Sequence, residues 1–509
     1  MTLDVSAEKD GNPDTNRNAH ERISFESLMA PPDAPFEWAV SLGGSASSIA
    51  PDGAGGAFVT GIFSGRQLFG STTLEGYNSY DTFLMHVTAL GAIDWAIQGN
   101  ISDSFGRSLT HDGAGGALVT GCFSGSSAPG ISSARAYVMH VMRSGVIDWV
   151  AVAGGTSFDN AYFTAGTSNL AQGTGIVSDG AGGALVTGWF SGVASFGLTS
   201  LESRGNLDVF VMHVTASGAI DWAVQAGGAA YDEGMGIAGD GAGGALVTGA
   251  FTGKAVFGTT LLGSRGSKDV FAMHVTTSGT IDWAVRAGGT FDDQGNGIAY
   301  DGAGGALVTG WFNDVASFGN SSLKSRGDLD VFAMHVTASG AIDWAVQAGG
   351  TSDDSGNGIA SDGAGGALVT GAFNGAASFG STTLETVSRL RGDYDGFVTH
   401  VTASGVIDWA RSTGGTLTAS GYGIAQRDEV GGFLVTGTFM GNVSLGSSTI
   451  AGQPIQTNTF AASLMPPLPP PPLPRPPSTP VNTGFSWFTI FIDPSLAVMI
   501  LFACALLFW

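Results

Sequence analysis

The sequence predicts an all-β protein built from seven copies of one unit, and three observations predict it. The string DGAGGALVTG occurs at Asp112–Gly121, Asp179–Gly188, Asp240–Gly249, Asp301–Gly310 and Asp362–Gly371, with variants starting at Asp52 and Asp428. The closing glycines stand at 61, 121, 188, 249, 310, 371 and 437, so the spacing runs from 60 to 67 residues. Between these strings the chain alternates as strands do: in Asp330–Ser339, Phe332, Met334 and Val336 share one face and Val331, Ala333 and His335 the other. The third observation is a missing copy. The strand IDW(A/V) supplies Trp95, Trp149, Trp222, Trp283, Trp344 and Trp409, six for seven units, while FEWAV at Phe36–Val40 supplies Trp38 near the N-terminus. A period of this length with four short strands per unit predicts the blades of a seven-bladed β-propeller. The N-terminal strand is expected to complete the last blade and close the ring, which leaves no sheet edge exposed.

Each unit divides in the same way. A first strand ends at the Asp of DGAGG, and the glycines supply the positive φ angles of a tight turn. A second strand follows through VTG, then a third at DVFAMHV and a fourth at IDWA. Two units depart from the period: the second is short between Asp112 and His140, and extra residues follow it around Phe158–Gln172. A smaller insertion at Glu385–Leu390 lengthens the sixth. Residues 1–35 are polar and are expected to lack fixed structure, 36–465 form the propeller, 466–484 a proline-rich linker and 485–509 a hydrophobic anchor.

Units of the form GG-x-DD-x-GNGIA-x-D-GAGGALVTG, then DVFAMHV, then G-x-IDWA, resemble the SBBP-type β-propeller repeats over about residues 36–465. The resemblance implies a propeller and a cell-surface or secreted setting. It implies no particular activity.

Composition narrows the function. Lys and Arg number 19 against 42 Asp and Glu, a net charge of −23, which argues against a nucleic-acid partner because phosphate binding needs clustered cations. Two distant cysteines, Cys122 and Cys504, make neither a disulfide framework nor a zinc site. The run Pro466–Pro480 holds 10 of the 18 prolines and reads as an extended polyproline stalk. As a helix, Phe485–Trp509 would reach about 37 Å, enough for a bilayer core of about 30 Å. Asp493 costs such a span about 3 kcal/mol, while thirteen Phe, Leu, Ile and Val residues each contribute about −0.3 to −0.6 kcal/mol. A single-pass C-terminal transmembrane helix is therefore expected, with the shorter apolar end Ser495–Trp509 also compatible with a removed anchor signal. The sequons at Asn100, Asn320 and Asn442 incline the propeller to the cell surface.

His86, His140, His213, His274, His335 and His400 occupy one equivalent position in six units. A ring of histidines suits metal chemistry, but equivalent positions on separate blades need not converge, and packing between blades is the expected role. The acidic pairs Asp232-Glu233, Asp292-Asp293 and Asp353-Asp354 precede first strands. On one rim they would make an oxygen-rich arc for Ca²⁺, although Asp before Gly is also ordinary turn chemistry. No other cofactor is expected. No catalytic residue stands out, since nucleophile–base pairs, HExxH and phosphate-binding glycine motifs are missing. The residue before the first-strand Asp varies, as Pro51, His111, Ser178, Gly239, Tyr300 and Ser361, and is a candidate channel mouth. The expected function is a non-enzymatic, membrane-anchored scaffold for adhesion or surface structure, with a protein or glycan partner. The alternative is a propeller enzyme or carbohydrate-binding lectin with its site at the channel mouth. Unlike polar residues clustered there would favour the alternative, and a uniform ring the scaffold.

Overall fold

The computed structural model describes residues 36–464 except 77–78, 100, 102, 125–133, 156–168, 388–391, 428–431, 446–447 and 453–455. The expected N-terminal segment, proline-rich linker and membrane anchor lie outside the described residues. All described residues fall within one compact unit, and every regular element among them is a strand.

The strands form seven antiparallel four-stranded groups. Their first strands are Ser45–Pro51, Ser104–His111, Ala171–Ser178, Asp232–Gly239, Gln294–Tyr300, Ser355–Ser361 and Ala419–Gln426. In units one to six the second, third and fourth strands follow in chain order, as Ala57–Phe63, Asp81–Val87 and Ile93–Gln98 do in the first. The seventh differs. Its fourth strand is Phe36–Gly43, which pairs antiparallel with Asn458–Leu464 from Phe36↔Leu464 to Gly43↔Asn458. The missing tryptophan strand is thus supplied from the other end of the chain.

In units one and three to seven a short hairpin that the four-strand reading does not contain lies between the second and third strands. It is Arg66–Phe69 with Thr72–Glu75 in unit one, and it merges into the long strands Ala245–Phe257 and Thr260–Val275 in unit four. This hairpin reaches back to the preceding unit, where Gly227 and Gly228 pair with Val256 and Ala255, and Gly288 with Ser317. Its phenylalanine anchors the core. Phe318 stands 5.7 Å edge-on to Phe312 and 5.0 Å from Phe332, and the same triplet recurs in units one, three, four and six. Each such ring is fully buried or nearly so, and each contributes about 1.5–3 kcal/mol relative to exposure.

Second and third strands are buried on both faces, since each sheet is covered on either side by its neighbours. The glycines of the first strands record how closely. A Cβ at Gly236 would sit 2.9 Å from the Asn296 carbonyl oxygen, one at Gly358 2.7 Å from the Tyr422 carbonyl oxygen, and one at Gly423 3.1 Å from the Ile49 nitrogen. Backbone therefore lies against backbone. Each first strand touches that of the next unit, and the seventh touches the first. The tryptophans keep the same order: Trp95 abuts Gly145 of unit two, Trp149 Gly218 of unit three, and Trp38 of the seventh sheet Gly91 of unit one.

Candidate functional site

Among the described residues the six repeated histidines do not converge on a metal site, and their hydrogen bonds stay within their own units. Each lies within its own unit between two carboxylates. Nε2 meets the Asp of the Gly-rich turn and Nδ1 the Asp of the IDW strand, as in Asp301–His335–Asp343, at 2.9 and 2.7 Å. The other five triads have distances between 2.7 and 3.1 Å. An imidazolium, with an N–H on each nitrogen, fills this arrangement completely. The ring also lies against the cross-strand tryptophan, 5.9 Å between centroids for His335 and Trp344. Burial disfavours the charged form of His86, but its hydrogen bonds to Asp52 and Asp94 outweigh that and raise its pKa. Burial likewise opposes charge on Asp52, and the His86 bond with the Ala54 and Gly56 amides still holds its pKa below the ordinary carboxylate range. These triads tie the turn to the fourth strand.

The seventh unit replaces the triad at every position. Arg427 stands where the turn Asp would be, Ser463 where the histidine would be, and Glu37 where the IDW Asp would be. Arg427, 4% exposed, donates to Glu37 and to Ser463 Oγ at 2.7 Å, and its other terminal nitrogen donates to the Gly55 carbonyl of unit one at 2.9 Å. One guanidinium thus joins the last unit, the N-terminal strand and the first unit.

The acidic pairs serve the junctions between units. Asp293 is fully buried, and its two oxygens accept from the Gly289 amide at 2.6 Å and the Asn313 amide at 3.0 Å. Asp232 does the same with Gly228 and Thr252, and Asp354 with Gly350 and Asn374. Of their neighbours, Glu233 forms an ion pair with Lys268 at 2.8 Å and Asp292 accepts from the Lys268 amide, while Asp353 is half-buried. The carboxylate oxygens of Asp232, Asp293 and Asp354 are already engaged with backbone, and the pairs stay one per unit. Among the described residues no group of three or more His, Cys, Asp or Glu side chains is placed to hold a metal ion. Burial, with the neighbouring carboxyls Asp269 and Asp330 adding to it, pushes Asp293 and Asp354 up to about 7 against the pull of their amide bonds.

What the seven units do bring together is a cavity. Each first strand bulges by one residue against its second strand, with Ser47, Arg107, Thr174, Met235, Asn296, Asn357 and Tyr422 at the extra position. A bulge leaves its residue outside the ladder and turns the side chain out of register. All seven line a cavity of about 620 Å³, and all seven also border a smaller space of about 180 Å³. They form the waist between the two. The wider space is finished by the residues two places earlier, among them Phe105, Gln172 and Gln294, and by Ile62 and Trp189 of the second strands. The candidate mouth read from the sequence, Pro51 through Ser361, lies at the other end of the first strands and lines neither space.

Four waist residues share one structural task. Ser47 donates to the Gly106 carbonyl at 2.6 Å, Thr174 to Gly234 at 2.7 Å, Asn296 to Gly356 at 2.8 Å and Asn357 to Gly421 at 2.8 Å, each crossing to the next unit. Arg107, Met235 and Tyr422 make no such bond. Arg107 has no hydrogen bond or ion pair among the described residues, and its guanidinium lies 5.8 Å from the centre of the Phe105 ring. It is the one charged residue lining either space. The bulge column was overlooked in the sequence because it falls inside a glycine-rich stretch. Its signal was available: it is a column where the repeat carries Ser, Arg, Thr, Met, Asn, Asn and Tyr in turn.

No known protein-family model matches the sequence, and no curated protein matches it significantly.

Proposed function

We propose that the chain is a seven-bladed β-propeller that binds a polar ligand in the cavity bordered by its seven bulged strands, as a lectin-type binding protein. The cyclic order of first-strand contacts and the borrowed strand Phe36–Gly43 support the closed ring. The observation that carries the function is asymmetry: the units repeat almost residue for residue, yet the bulge column holds unlike side chains around one space. A scaffold has no use for that difference, whereas one bound molecule needs unlike groups around it. The lining favours binding over catalysis, because it contains neither carboxylate nor imidazole to move a proton. In this reading the proline-rich linker and the segment Phe485–Trp509 carry the propeller at a membrane surface. No helix among the described residues is long and apolar enough to cross a membrane, so that part rests on the sequence of the tail.

The test is a glycan array and calorimetry on the full-length protein in detergent. The triple variant Arg107→Ala/Trp189→Ala/Tyr422→Ala is expected to lose the ligands that the wild type captures. His111→Ala/Tyr300→Ala/Ser361→Ala, at the other end of the strands, is expected to keep them. Equal capture by both variants would overturn the cavity as the site.

A further inference from the structure

Resting on the cavity as a binding site, we infer that its ligand is an acidic saccharide, held by its anionic oxygen group on Arg107 and by its ring faces on the aromatic walls. The balance of charge points this way first. None of the 42 acidic residues lines either space, while one of the 19 basic residues does, in a chain of net charge −23. A cavity free of carboxylates in so acidic a protein does not repel an anion at close range, and Arg107 provides the attraction.

The second argument is the count of open hydrogen-bonding groups. The hydroxyls of Ser47 and Thr174 and the amides of Asn296 and Asn357 are committed to neighbouring carbonyls. Gln294 donates to the Asn296 amide oxygen at 2.9 Å, and the Gln172 oxygen faces the Cys122 thiol at 3.6 Å. Among the described residues this leaves as open donors the Arg107 guanidinium, the Gln172 amide nitrogen, the Trp189 indole N–H and the hydroxyls of Ser45 and Tyr422. A surplus of donors fits a ligand rich in acceptor oxygens, and a guanidinium presents paired N–H groups that match a carboxylate or sulfate edge. The stacking of Arg107 over Phe105 holds the guanidinium while leaving its donors free.

The third argument is shape. Phe105, Trp189 and Tyr422 offer flat apolar faces within a space of about 620 Å³, which lies in the range of small-molecule sites and accommodates a short oligosaccharide. Aromatic faces beside amide and hydroxyl donors suit a sugar ring, which has an apolar face and a polar edge. A bare inorganic anion would leave those walls unused.

Calorimetry on the full-length protein in detergent decides the matter, with uronate oligosaccharides, sulfated oligosaccharides, neutral oligosaccharides of equal length, and inorganic sulfate as probes. The uronate or the sulfated series is expected to bind, and the better one identifies the anionic group. Arg107→Gln is expected to weaken that binding at least about tenfold, as for loss of a charged hydrogen bond, without changing the melting temperature. Trp189→Ala is expected to weaken it while leaving charge untouched. Neutral oligosaccharides binding as well as acidic ones, with Arg107→Gln silent and Trp189→Ala weakened, would overturn the acidic class and leave the cavity reading standing. Inorganic sulfate binding as tightly as the sulfated sugar would overturn the saccharide. Binding of no probe, or binding insensitive to both substitutions, would remove the inference and the cavity reading together.

Discussion

The seventh unit and the six before it solve one problem with opposite chemistry. In units one to six a histidine lies between two carboxylates, and all three residues come from a stretch of about forty residues, as Asp301, His335 and Asp343 do. The seventh sheet takes its fourth strand from a segment 390 residues away from Arg427, and there the polar link is a buried arginine against Glu37. A local unit is held by chain connectivity as well as by its triad, so the triad need not be strong. A closure between chain ends has only non-covalent contacts to resist opening. Arginine remains charged at any ordinary pH and reaches three partners at once, whereas each histidine reaches two carboxylates of its own unit. The device follows the entropy of what it must hold together.

Removing residues 1–43 should have the largest effect. It strips the edge of Asn458–Leu464, and the expected result is loss of cooperative melting, with aggregation visible by size-exclusion chromatography. A truncated protein that melts like the full chain would break the comparison outright. Next in size is Glu37→Ala, which leaves Arg427 buried without its counter-charge and should cost about 3 kcal/mol in urea unfolding. The double change Glu37→Leu/Arg427→Leu should cost less than Arg427→Leu or Glu37→Ala alone, because no buried charge is orphaned. His335→Ala should cost less than Glu37→Ala, about 1–2 kcal/mol, since Asp301 keeps the amides of Ala303 and Gly305. If it costs as much as Glu37→Ala, the contrast between local and closing links fails.

The smallest effect is a pH dependence of the unit junctions. Asp293 and Asp354 are raised from 3.8 to about 7 in the folded protein. A carboxyl with a raised folded pKa stabilises fully below its unfolded pKa and loses that contribution as pH rises through the folded one. Stability should therefore decline from about pH 4 to about pH 7, read as a falling urea midpoint. Asp293→Asn should flatten part of that slope, and an unchanged slope would show that the junction carboxyls stay charged throughout.

The all-β class, the count of seven units and the borrowed N-terminal strand were legible because the repeat is nearly exact and one copy of IDWA is missing. The hairpin at Arg66–Glu75 was hidden because its two strands are only four residues long, too short for alternation to show. Arg427 was invisible for a different reason. It stands beside the decayed string at Asp428, and its meaning appears only when Glu37 is brought to it. Of the candidate site residues, the acidic pairs invite either a Ca²⁺ arc or turn chemistry in the sequence, and neither reading contains the junction role: a sequence cannot show that Asp232, Asp293 and Asp354 each bind the amides of two separate segments. The histidines were read as contacts between units because their carboxylate partners lie 8 and 28–38 residues away within the unit.

The bulge in each first strand separates two kinds of heredity. Residues buried in the ladder are mostly copied from unit to unit, because a change there disturbs packing on both faces. The bulged residue stands outside the ladder, so its codon can differ from unit to unit without changing the strand pairing. Seven such codons surround one space, and randomising them together makes a library on an otherwise constant framework. Specificity for new ligands should therefore be selectable at positions 47, 107, 174, 235, 296, 357 and 422 without redesign of the fold, with Ser47, Thr174, Asn296 and Asn357 carrying the stability cost of lost carbonyl bonds and positions 107, 235 and 422 carrying none.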